Sequence, residues 1–440
     1  MTRIVLVGAG SVELTRNLLG DFLSYPELRD ATIVLHDIDP ERLATAWRMA
    51  EWTAGAMGAE PTFEAHLDRR AAMRGADVVV NTIQVGGARA TRTDFDVPAR
   101  YGLRYTINDT INVGGVIRGL RSIPVVLDIV RDMEDVCPDA WFLNYTNPMA
   151  MLVRAVALRS SVKTVGLCHS VYWTIDTLAG YLGLPVAEVD SFSAGVNHLA
   201  FVLRLEHRGR DLYPDLAAFV EAGRAPDTDL VRAELFRRLG RYPTESSEHH
   251  AEYNPWFIPK GDLVERMHIP IGEYLTRVSH NLDEYAEIRR KLDAGEPFDI
   301  ERSGEYAAVI THSLLTGEPS RIVANVMNGG ALIPNLAADA CVEVPALVDG
   351  LGVHPVAAGP LPVHLAAYIE PAVATQLLTV QAAVEHDRDA IYHAVMQDPQ
   401  VQARLTLDET WRLTDELIEA GSDWMPAWLG GPALTTSSPD

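Results

Sequence analysis

Arg3-Ile-Val-Leu-Val7 is followed by Gly8-Ala9-Gly10-Ser11 and then by Val12-Glu-Leu-Thr-Arg-Asn-Leu-Leu19, and this stretch decides the fold. The apolar run predicts a buried strand, and the apolar spacing after the glycines predicts a helix. A strand, a glycine-rich turn and a helix in that order bring backbone N–H groups to a pyrophosphate. The motif is incomplete, because Glu13 stands where the third glycine of a dinucleotide fingerprint would be. We predict Gly8, Gly10 and Ser11 as cofactor-binding residues.

The second predicted strand carries an acidic residue at its end. Ala31-Thr-Ile-Val-Leu-His36 runs into Asp37-Ile38-Asp39, and a carboxylate in this position binds the ribose hydroxyls of NAD. We predict Asp37 for this role, with Asp39 as the second choice. No arginine follows directly to accept a 2′-phosphate, although Arg42 is close, so the sequence favours NAD over NADP.

Length, composition and charge limit the class of protein. The chain has 440 residues, 48% of them hydrophobic and 22% charged, so it can bury a large core, in two closely packed lobes. A net charge of -23 argues against nucleic acid or an anionic membrane as a partner. Three cysteines are too few for a disulfide framework and fit a reducing compartment. With no basic, apolar leader and no apolar run of membrane-spanning length, we expect a cytoplasmic protein.

Two polar stretches each follow an apolar run. Cys168-His169-Ser170 begins at the end of a strand predicted at 163–168, and Asn197-His198 comes after an alternating run at 190–196. A thiol and an imidazole at two strand ends suit a soft or borderline divalent metal with open coordination positions. The alternative is a buried cysteine and an ordinary turn. We predict Cys168 and His198 as metal ligands.

Further polar residues follow other predicted strands. Asn81 ends a strand and precedes Gln84-Val-Gly-Gly87 and Arg89, and Asn147-Pro148 follows a strand at 140–143. Ligands bind at the carboxyl ends of the strands in doubly wound sheets. We therefore predict that Asn81 and Gln84 contact the cofactor and that Asn147 and Arg89 contact the substrate.

A polar loop with glycines precedes the next predicted helix. Asn108-Asp109-Thr110 is followed by Gly114-Gly115, and the helix is expected from Leu120 through Asp135. Such a loop is typical of a ligand contact, and Asp109 is a candidate acid or sugar-hydroxyl partner; a solvated loop is the alternative.

The second half holds the densest polar cluster, Thr244-Glu-Ser-Ser-Glu-His-His-Ala-Glu-Tyr-Asn-Pro-Trp256. Mixed carboxylates, imidazoles and a phenol favour a substrate cleft over a charged helix start. A long helix is expected over 371–396. We divide the chain into a cofactor domain at 1–184, a substrate, metal and oligomerisation domain at 185–434, and a disordered tail at 435–440.

Seven motifs in order resemble glycoside hydrolase family 4, whose members need NAD and a divalent metal. They are Gly8-Ala-Gly-Ser11, Asp37-Ile-Asp-Pro-Glu-Arg42, Asn108-Asp-Thr with Gly114-Gly115, Asn147-Pro148, Cys168-His-Ser-Val171, Gly195-Val-Asn-His198 and Thr244-Glu-Ser-Ser-Glu-His249. The residues after the cysteine are similar to the α-galactosidase pattern. Phospho-glycosidase members carry Asn or Asp after the cysteine and a proline two residues on, so the resemblance implies an unphosphorylated substrate.

The resemblance also implies a fold and an oligomeric state. The expected fold is α/β, with a Rossmann-like doubly wound sheet at the N-terminus. The second, α+β lobe is expected to resemble the C-terminal domain of lactate and malate dehydrogenases. We expect a homodimer or homotetramer.

The implied mechanism differs from the two-carboxylate hydrolysis of most glycosidases. NAD takes a hydride from C3 of the sugar, and Mn²⁺ or another divalent ion assists as a Lewis acid. A base then removes the C2 proton, the C1 group is eliminated, water adds back and the hydride returns.

Roles for the acid and the base follow from the same resemblance. Tyr253 is the expected base, because related members use a tyrosine from this region, and His249, which we also predict to contact the substrate, is the alternate. His169 is the expected general acid, with Asp109 as its competitor. Asn147 is expected to bind a sugar hydroxyl.

Other activities remain open. The best expectation is an α-galactosidase, and α-glucosidase, α-glucuronidase or α-galacturonidase activity would fit the same family. An NAD-dependent dehydrogenase of 2-hydroxy acids or sugars explains the glycines and Asp37 but leaves Cys168 and His198 without a role. A nucleotide-binding sensor without catalytic activity would have no use for the thiol of Cys168 and the imidazole of His198.

Overall fold

Strands and helices alternate through the first part of the protein. The computed structural model describes residues 2–300 and 302–432, so the tail expected at 435–440 lies outside the described residues. The first part contains β1 Arg3–Val7, α1 Val12–Ser24, β2 Thr32–His36, α2 Pro40–Met57, β3 Thr62–His66, α3 Arg69–Met73, β4 Val78–Asn81, α4 Gly87–Arg100, α5 Val113–Val136, β5 Trp141–Asn144, α6 Met149–Arg159, β6 Lys163–Leu167 and α7 Ser170–Tyr181.

These six strands are parallel and lie in the order β3-β2-β1-β4-β5-β6. This is the order of dinucleotide-binding sheets, in which the ligand crevice lies where the strand order reverses, outside the carboxyl ends of β1 and β4. The predicted α/β fold class is confirmed.

Helices cover both faces of this sheet. Val5 and Val7 pack in one apolar cluster with residues of α5, and Ile4 and Leu6 pack in another with residues of α1 and α2. Because both faces of β1 are buried, its sequence is a continuous apolar run rather than an alternating one.

The second part adds mostly antiparallel strands and long helices. It contains β7 Val189–Val196, β8 Leu199–His207, β9 Arg210–Asp211, α8 Tyr213–Glu221, α9 Leu230–Leu239, β10 Tyr242–Pro243, α10 Ser247–Glu252, α11 Leu263–Arg266, α12 Glu273–Ala294, α13 Tyr306–Thr316, β11 Ser320–Met327, β12 Cys341–Asp349, β13 Gly352–Pro355, α14 Val363–Glu385, α15 Arg388–Val395, α16 Pro399–Arg404 and α17 Leu407–Ala420.

The second part continues the same sheet. Beyond β6 the order runs β11-β12-β7-β8-β10, with β13 paired to β12 and β9 to β8. One continuous sheet therefore contains strands from both sides of position 184/185, and the domain boundary there stays a prediction. Among the described residues, no helix combines the length and apolar character that crossing a bilayer requires.

Helix α5 begins at Val113, so the expectation of a start at Leu120 is wrong. The two glycines that suggested a loop lie in its first turn. A Cβ on Gly114 would lie 2.2 Å from the Asn108 carbonyl oxygen, and one on Gly115 would lie 2.4 Å from the Thr110 backbone. The glycines therefore let the helix pack directly against the polar loop.

The single helix expected over 371–396 is two helices. Helix α14 ends where His386 adopts a left-handed conformation with φ of 57°. Asp387 then accepts hydrogen bonds from the N–H groups of Asp389 and Ala390 and starts α15. An aspartate in this position caps a helix, and the capping interaction overrode the continuous apolar pattern.

Candidate active site

A cleft of about 500 Å³ opens at the carboxyl ends of the parallel strands. The loops after β4, β5 and β6 form one wall, and the turn after β7 and the start of α10 form the other. The predicted site residues that line this cleft are Gln84, Asp109, Asn147, Cys168, His169, His198 and His249.

Three side chains form a candidate metal centre. Cys168 directly follows β6, His198 lies in the turn between β7 and β8, and Glu245 precedes α10. One donor atom from each lies within 4.8 Å of the others, and Asp109, His198 and His249 form a second such group. Sulfur, imidazole nitrogen and carboxylate oxygen together fit a borderline divalent ion. The sequence analysis had assigned no ligand role to Glu245.

Two of these donors belong to residues with a strained backbone conformation. His198 and Glu245 have φ angles of 62° and 69°, a region that side-chain-bearing residues rarely adopt and that functional sites often contain. Burial opposes ionisation of Glu245, but the neighbouring imidazoles, led by that of His249, outweigh it and lower the pKa of Glu245. The glutamate is therefore a carboxylate at neutral pH.

A hydrogen-bonded chain orients the His198 ring. Thr110 Oγ1 donates to Asp109 Oδ1 at 2.6 Å and lies 2.9 Å from His198 Nδ1. Because an ionised carboxylate cannot donate, the single hydroxyl hydrogen goes to Asp109, and Thr110 must accept from the Nδ1–H of His198. Burial opposes protonation of His198, but the charges of Glu245 and Cys168 outweigh it and raise its pKa to about 10 without a metal. A bound metal would displace the proton on Nε2, the atom that faces Glu245, and leave the neutral ring with its proton on Nδ1. This is the tautomer that binds a metal.

The Asp109 carboxylate is held from several sides. Asn147 Nδ2 donates to Asp109 Oδ2 at 3.1 Å, and Arg118 Nη1 lies 3.6 Å from the same oxygen. Arg118 also donates to the Tyr274 hydroxyl at 2.9 Å. No described residue offers a partner to the buried Asn147 Oδ1, so this oxygen is available to a sugar hydroxyl. These contacts fix the position of the Asp109 carboxylate beside the metal ligands.

A buried glutamate holds the loop that carries Asp109. The Glu252 carboxylate accepts the backbone N–H groups of Thr106, Ile107 and Asn108. Glu252 is fully buried, and each donor satisfies an otherwise orphaned backbone group. Glu252 therefore shapes the site without lining the cleft.

His169 pairs with an acid from the second part of the chain. Its Nδ1 lies 3.0 Å from Glu305 Oε1. Burial alone would lower the pKa of His169, but the hydrogen bond to Glu305 and its charge outweigh burial and raise the pKa to about 9. His169 is therefore protonated at neutral pH, which is the state that a general acid needs.

His249 lies deep in the cleft. Its Nδ1 lies 3.0 Å from Ser246 Oγ and 3.3 Å from Glu245 Oε1. Burial lowers the pKa of His249 to about 3, so its ring is neutral at neutral pH. A neutral imidazole can bind a metal or accept a proton.

Tyr253 does not line the cleft. Its ring is buried behind Asp109 and Thr110, and burial raises the pKa of its phenol well above the ordinary value. Ionisation is therefore unfavourable here, and this placement does not favour the base role that we expected for Tyr253.

The glycine turn and Asp37 meet at the start of α1. Gly10 N–H donates to Asp37 Oδ2 at 2.7 Å, and a Cβ on Gly10 would lie 2.6 Å from that oxygen. Ser11 is exposed at the helix N-terminus. The N–H of Gly8, with a φ of 89°, donates to the His36 carbonyl. The glycine turn and the Asp37 carboxylate thus lie together at the carboxyl ends of β1 and β2, where a dinucleotide binds in sheets of this strand order.

Asn81 and Arg89 lie elsewhere than expected. Asn81 is fully buried, and its Nδ2 donates at 2.8 Å to Asn144 Oδ1, its register partner on β5, so it ties two strands together rather than reaching a cofactor. The Arg89 side chain is 78% exposed, stacks over Trp424 and pairs with Asp423. Arg89 points to the α17 end of the protein rather than into the cleft.

The structure adds cleft residues that the sequence analysis missed. They include Trp173, Arg232, Tyr274, Arg277 and Glu305. Each stands alone among ordinary helix or loop residues, so no local pattern marks it. Trp173 lies in the helix that follows Cys168, but the other four come near Cys168 and His198 only because distant elements pack together.

Models of one protein family match nearly the whole chain. The model for family 4 glycosyl hydrolase matches residues 3–184, and the model for the family 4 glycosyl hydrolase C-terminal domain matches residues 193–401. The chain is 40% identical to an alpha-galactosidase of Bacillus subtilis, over 97% of this chain and 100% of that one. It is 36% identical to an alpha-galactosidase of Rhizobium meliloti, over 97% and 89%.

Solved structures share the fold. A putative glucosidase lplD from Bacillus subtilis superposes with a TM-score of 0.86 at 24% identity, over 95% of this chain and 99% of that one. A 6-phospho-alpha-glucosidase from gut microorganisms, in complex with NAD and Mn²⁺, gives 0.80 at 20% identity, over 97% and 99%. Malate dehydrogenase from Plasmodium falciparum gives 0.50 at 15%, over 89% and 100%. The resemblance noted in the sequence is confirmed, and the chain belongs to family 4 of the glycosyl hydrolases.

Proposed function

We propose that this glycoside hydrolase cleaves unphosphorylated α-galactosides with NAD⁺ and Mn²⁺, by transient oxidation at C3, deprotonation at C2 and elimination at C1. One observation carries the proposal. The Cys168, His198 and Glu245 donors line one cleft. The glycine turn after β1 adjoins that lining, because a Cβ on Gly8 would lie 3.0 Å from atoms of Thr82 and Ile83. A cofactor and a metal held there would serve adjacent carbons of one sugar.

Each cofactor has a matching set of residues. When bound, NAD⁺ supplies a hydride acceptor and Mn²⁺ supplies a Lewis acid, which together acidify the proton beside the oxidised carbon. Cys168 and His198 are the proposed ligands, with Glu245 as a third. Gly8, Gly10, Ser11 and Asp37 are the proposed NAD contacts, and Gln84 lines the cleft beside them.

The proposed general acid and base are groups whose charge states suit proton transfer. We assign the general acid to His169, because Glu305 keeps it protonated beside the cleft. For the base, position favours His249 over Tyr253, since His249 lines the cleft as a neutral imidazole. Asp109 is already committed to Thr110 and Asn147 as an acceptor. Its proposed role is to position Asn147, which would bind a sugar hydroxyl.

The pairing of charges in the cleft favours an uncharged sugar as the substrate. Three arginines line it, and each is paired with an acid: Arg118 with Asp109, Arg232 with Asp229, and Arg277 with Glu273. A phosphate or carboxylate would have to compete with these pairs. The α-galactosidases that are 40% and 36% identical support galactose as the sugar.

A panel of p-nitrophenyl glycosides tests the sugar and the anomer. The protein is assayed with NAD⁺ and Mn²⁺ under reducing conditions on α- and β-galactosides, α-glucosides, α-galacturonides and 6-phosphorylated α-glucosides. We expect α-galactoside to be cleaved fastest, without net NADH formation. Net NADH formation would instead indicate a dehydrogenase, and faster cleavage of another glycoside would overturn the galactoside assignment.

Isotope exchange tests the chemistry. Hydrolysis in D₂O should place deuterium at C2 of the released sugar, because elimination removes that proton and solvent replaces it. His249→Asn and Tyr253→Phe are compared for exchange at C2. Loss in the first variant with retention in the second supports His249 as the base, the reverse result supports Tyr253, and product without label contradicts the mechanism.

We also propose that the enzyme works as a homo-oligomer in the reducing cytoplasm. The reducing compartment is supported by three free cysteines and by the need for Cys168 to stay reduced to bind a metal. The oligomeric state is proposed from the family resemblance alone. Loss of Mn²⁺ binding on oxidation, reversed by thiol, tests the first point. Sedimentation of the full chain tests the second, and a monomer would contradict it.

A further inference from the structure

Two large aromatic side chains are exposed at the start of α7. Trp173 is 50% exposed and Tyr172 is 41% exposed. Trp173 lines the cleft, and Tyr172 does not. Leaving an indole in water at the mouth of a site forgoes its apolar burial, so an exposed tryptophan in such a place indicates a binding surface.

The indole is held in a defined place relative to His169. Trp173 lies one helical turn after His169, and its backbone N–H donates to the His169 carbonyl. The two rings meet edge to face, with centroids 6.3 Å apart and planes at 86°. The Tyr172 ring also contacts the indole edge to face, with centroids 5.4 Å apart and planes at 76°. These contacts restrict the orientation of the Trp173 ring.

A hydroxyl group lies on the same face of the helix. Thr177 is four residues after Trp173 and also lines the cleft, and residues four apart share one face. An aromatic face beside a hydrogen-bonding side chain suits a ring that is apolar on one face and hydroxylated at its edge. A pyranose has both features.

The position also fixes which part of a substrate would reach Trp173. A general acid must contact the oxygen of the leaving group, and His169 has this role in the proposed function. Trp173 contacts the His169 ring edge to face, so in the proposed function it lies beside the departing group. Thr177 extends the same helical face by one more turn.

We propose that Trp173 and Thr177 form a binding site for the leaving group, in which the indole stacks on a ring and selects substrates whose departing group is a second sugar or an aromatic ring. This inference rests on the proposed function, because it uses His169 to define the leaving-group side. It makes Trp173 a specificity-determining residue rather than a catalytic one.

Paired substrates measure the contribution of the indole. The full-length enzyme with NAD⁺ and Mn²⁺ is assayed on a disaccharide with an α-linked terminal galactose and on methyl α-galactoside, which has no ring to stack. In Trp173→Ala we expect the ratio of the two kcat/KM values to fall about tenfold, as expected for loss of one stacked aromatic contact. Trp173→Phe keeps a ring and should restore most of the ratio.

Trp256→Ala is the matched control, because Trp256 is also 50% exposed but does not line the cleft. Its ratio should stay within about twofold of the wild type. An unchanged ratio in Trp173→Ala, or an equal loss on both substrates, overturns the proposal. If the wild type prefers another sugar to galactose, the same ratio is measured with that sugar, so failure of the galactoside assignment and failure of this inference are separate results.

Discussion

Replacing Thr110 with valine removes the centre of the hydrogen-bonded chain that orients His198. Valine has nearly the shape of threonine, so the packing is kept while both hydrogen bonds of the hydroxyl are lost. The Nδ1–H of His198 is then left without its acceptor in a buried site. The neutral ring regains a hydrogen bond by moving its proton to Nε2, the atom that faces Glu245. In that tautomer the nitrogen that would bind the metal carries a proton.

The size of the effect follows from those two contacts. A buried donor without an acceptor costs about 1 to 3 kcal/mol. Loss of a partner that orients a metal-binding histidine typically weakens metal binding about 10- to 100-fold, which corresponds to about 1.4 to 2.7 kcal/mol. We therefore expect the Kd for Mn²⁺ to rise within this range in Thr110→Val. Thr110→Ser keeps the hydroxyl and should stay within about threefold of the wild type.

The assay is a Mn²⁺ titration of metal-stripped protein under reducing conditions, in which electron paramagnetic resonance measures the free ion. NAD⁺ affinity, measured in parallel, should not change, because the glycine turn is remote from Thr110. Wild-type Mn²⁺ affinity in Thr110→Val would refute the orienting role of the hydroxyl. An equal loss in Thr110→Ser would show that packing, and not the hydrogen bond, holds the ring.

Three further predictions concern the cofactor crevice and the buried charges. In Gly10→Ala the new methyl lies 2.6 Å from the Asp37 carboxylate, so NAD⁺ affinity should fall about tenfold or more in calorimetry while Mn²⁺ affinity is kept. Burial raises the pKa of Glu343 to about 7, so the folded state holds a proton that the unfolded state releases, and stability is lost as pH rises from about 4.5 to 7. Glu343→Gln should therefore raise the unfolding temperature more at pH 8 than at pH 5, with a gain of up to about 3 kcal/mol. Arg121 makes two hydrogen bonds, of 2.9 and 2.6 Å, to the buried Asp94, and Arg121→Met should cost about 3 to 5 kcal/mol in denaturant unfolding.

Each of these predictions has its own control. Gly55 has open space around its Cβ position, so Gly55→Ala should leave NAD⁺ affinity unchanged, and a loss there would mean that Gly10→Ala acts through the fold as a whole. Equal temperature shifts at the two pH values would show that Glu343 ionises normally. The exposed Arg131 should be replaceable at a cost of less than about 1 kcal/mol, and a similarly small cost for Arg121 would contradict the importance of its buried pair.

Local patterns predicted much of the fold. The apolar run of β1, the glycines after it and the acid after β2 are adjacent in sequence, so the geometry of a strand, turn and helix follows from neighbouring residues. The family resemblance, which rests on seven motifs, extended that prediction to the whole chain. Local patterns failed at Gly114 and Gly115, which suggested a loop but lie in a helix, because their missing Cβ atoms let the first turn of α5 pack on the loop at 108–110.

The sequence by itself determined the parallel sheet, the dinucleotide crevice, the family and the presence of Cys168 and His198 at two strand ends. The tertiary structure decided which other groups join them: it brought Glu245 to the metal donors and Glu305 to His169, and it placed Arg89 and Tyr253 outside the cleft lining. The physical reason is the separation along the chain over which each kind of interaction acts. Strand, turn and helix propensities act between residues close in the chain, whereas a site assembled at a sheet edge depends on the order of strands and the packing of distant helices.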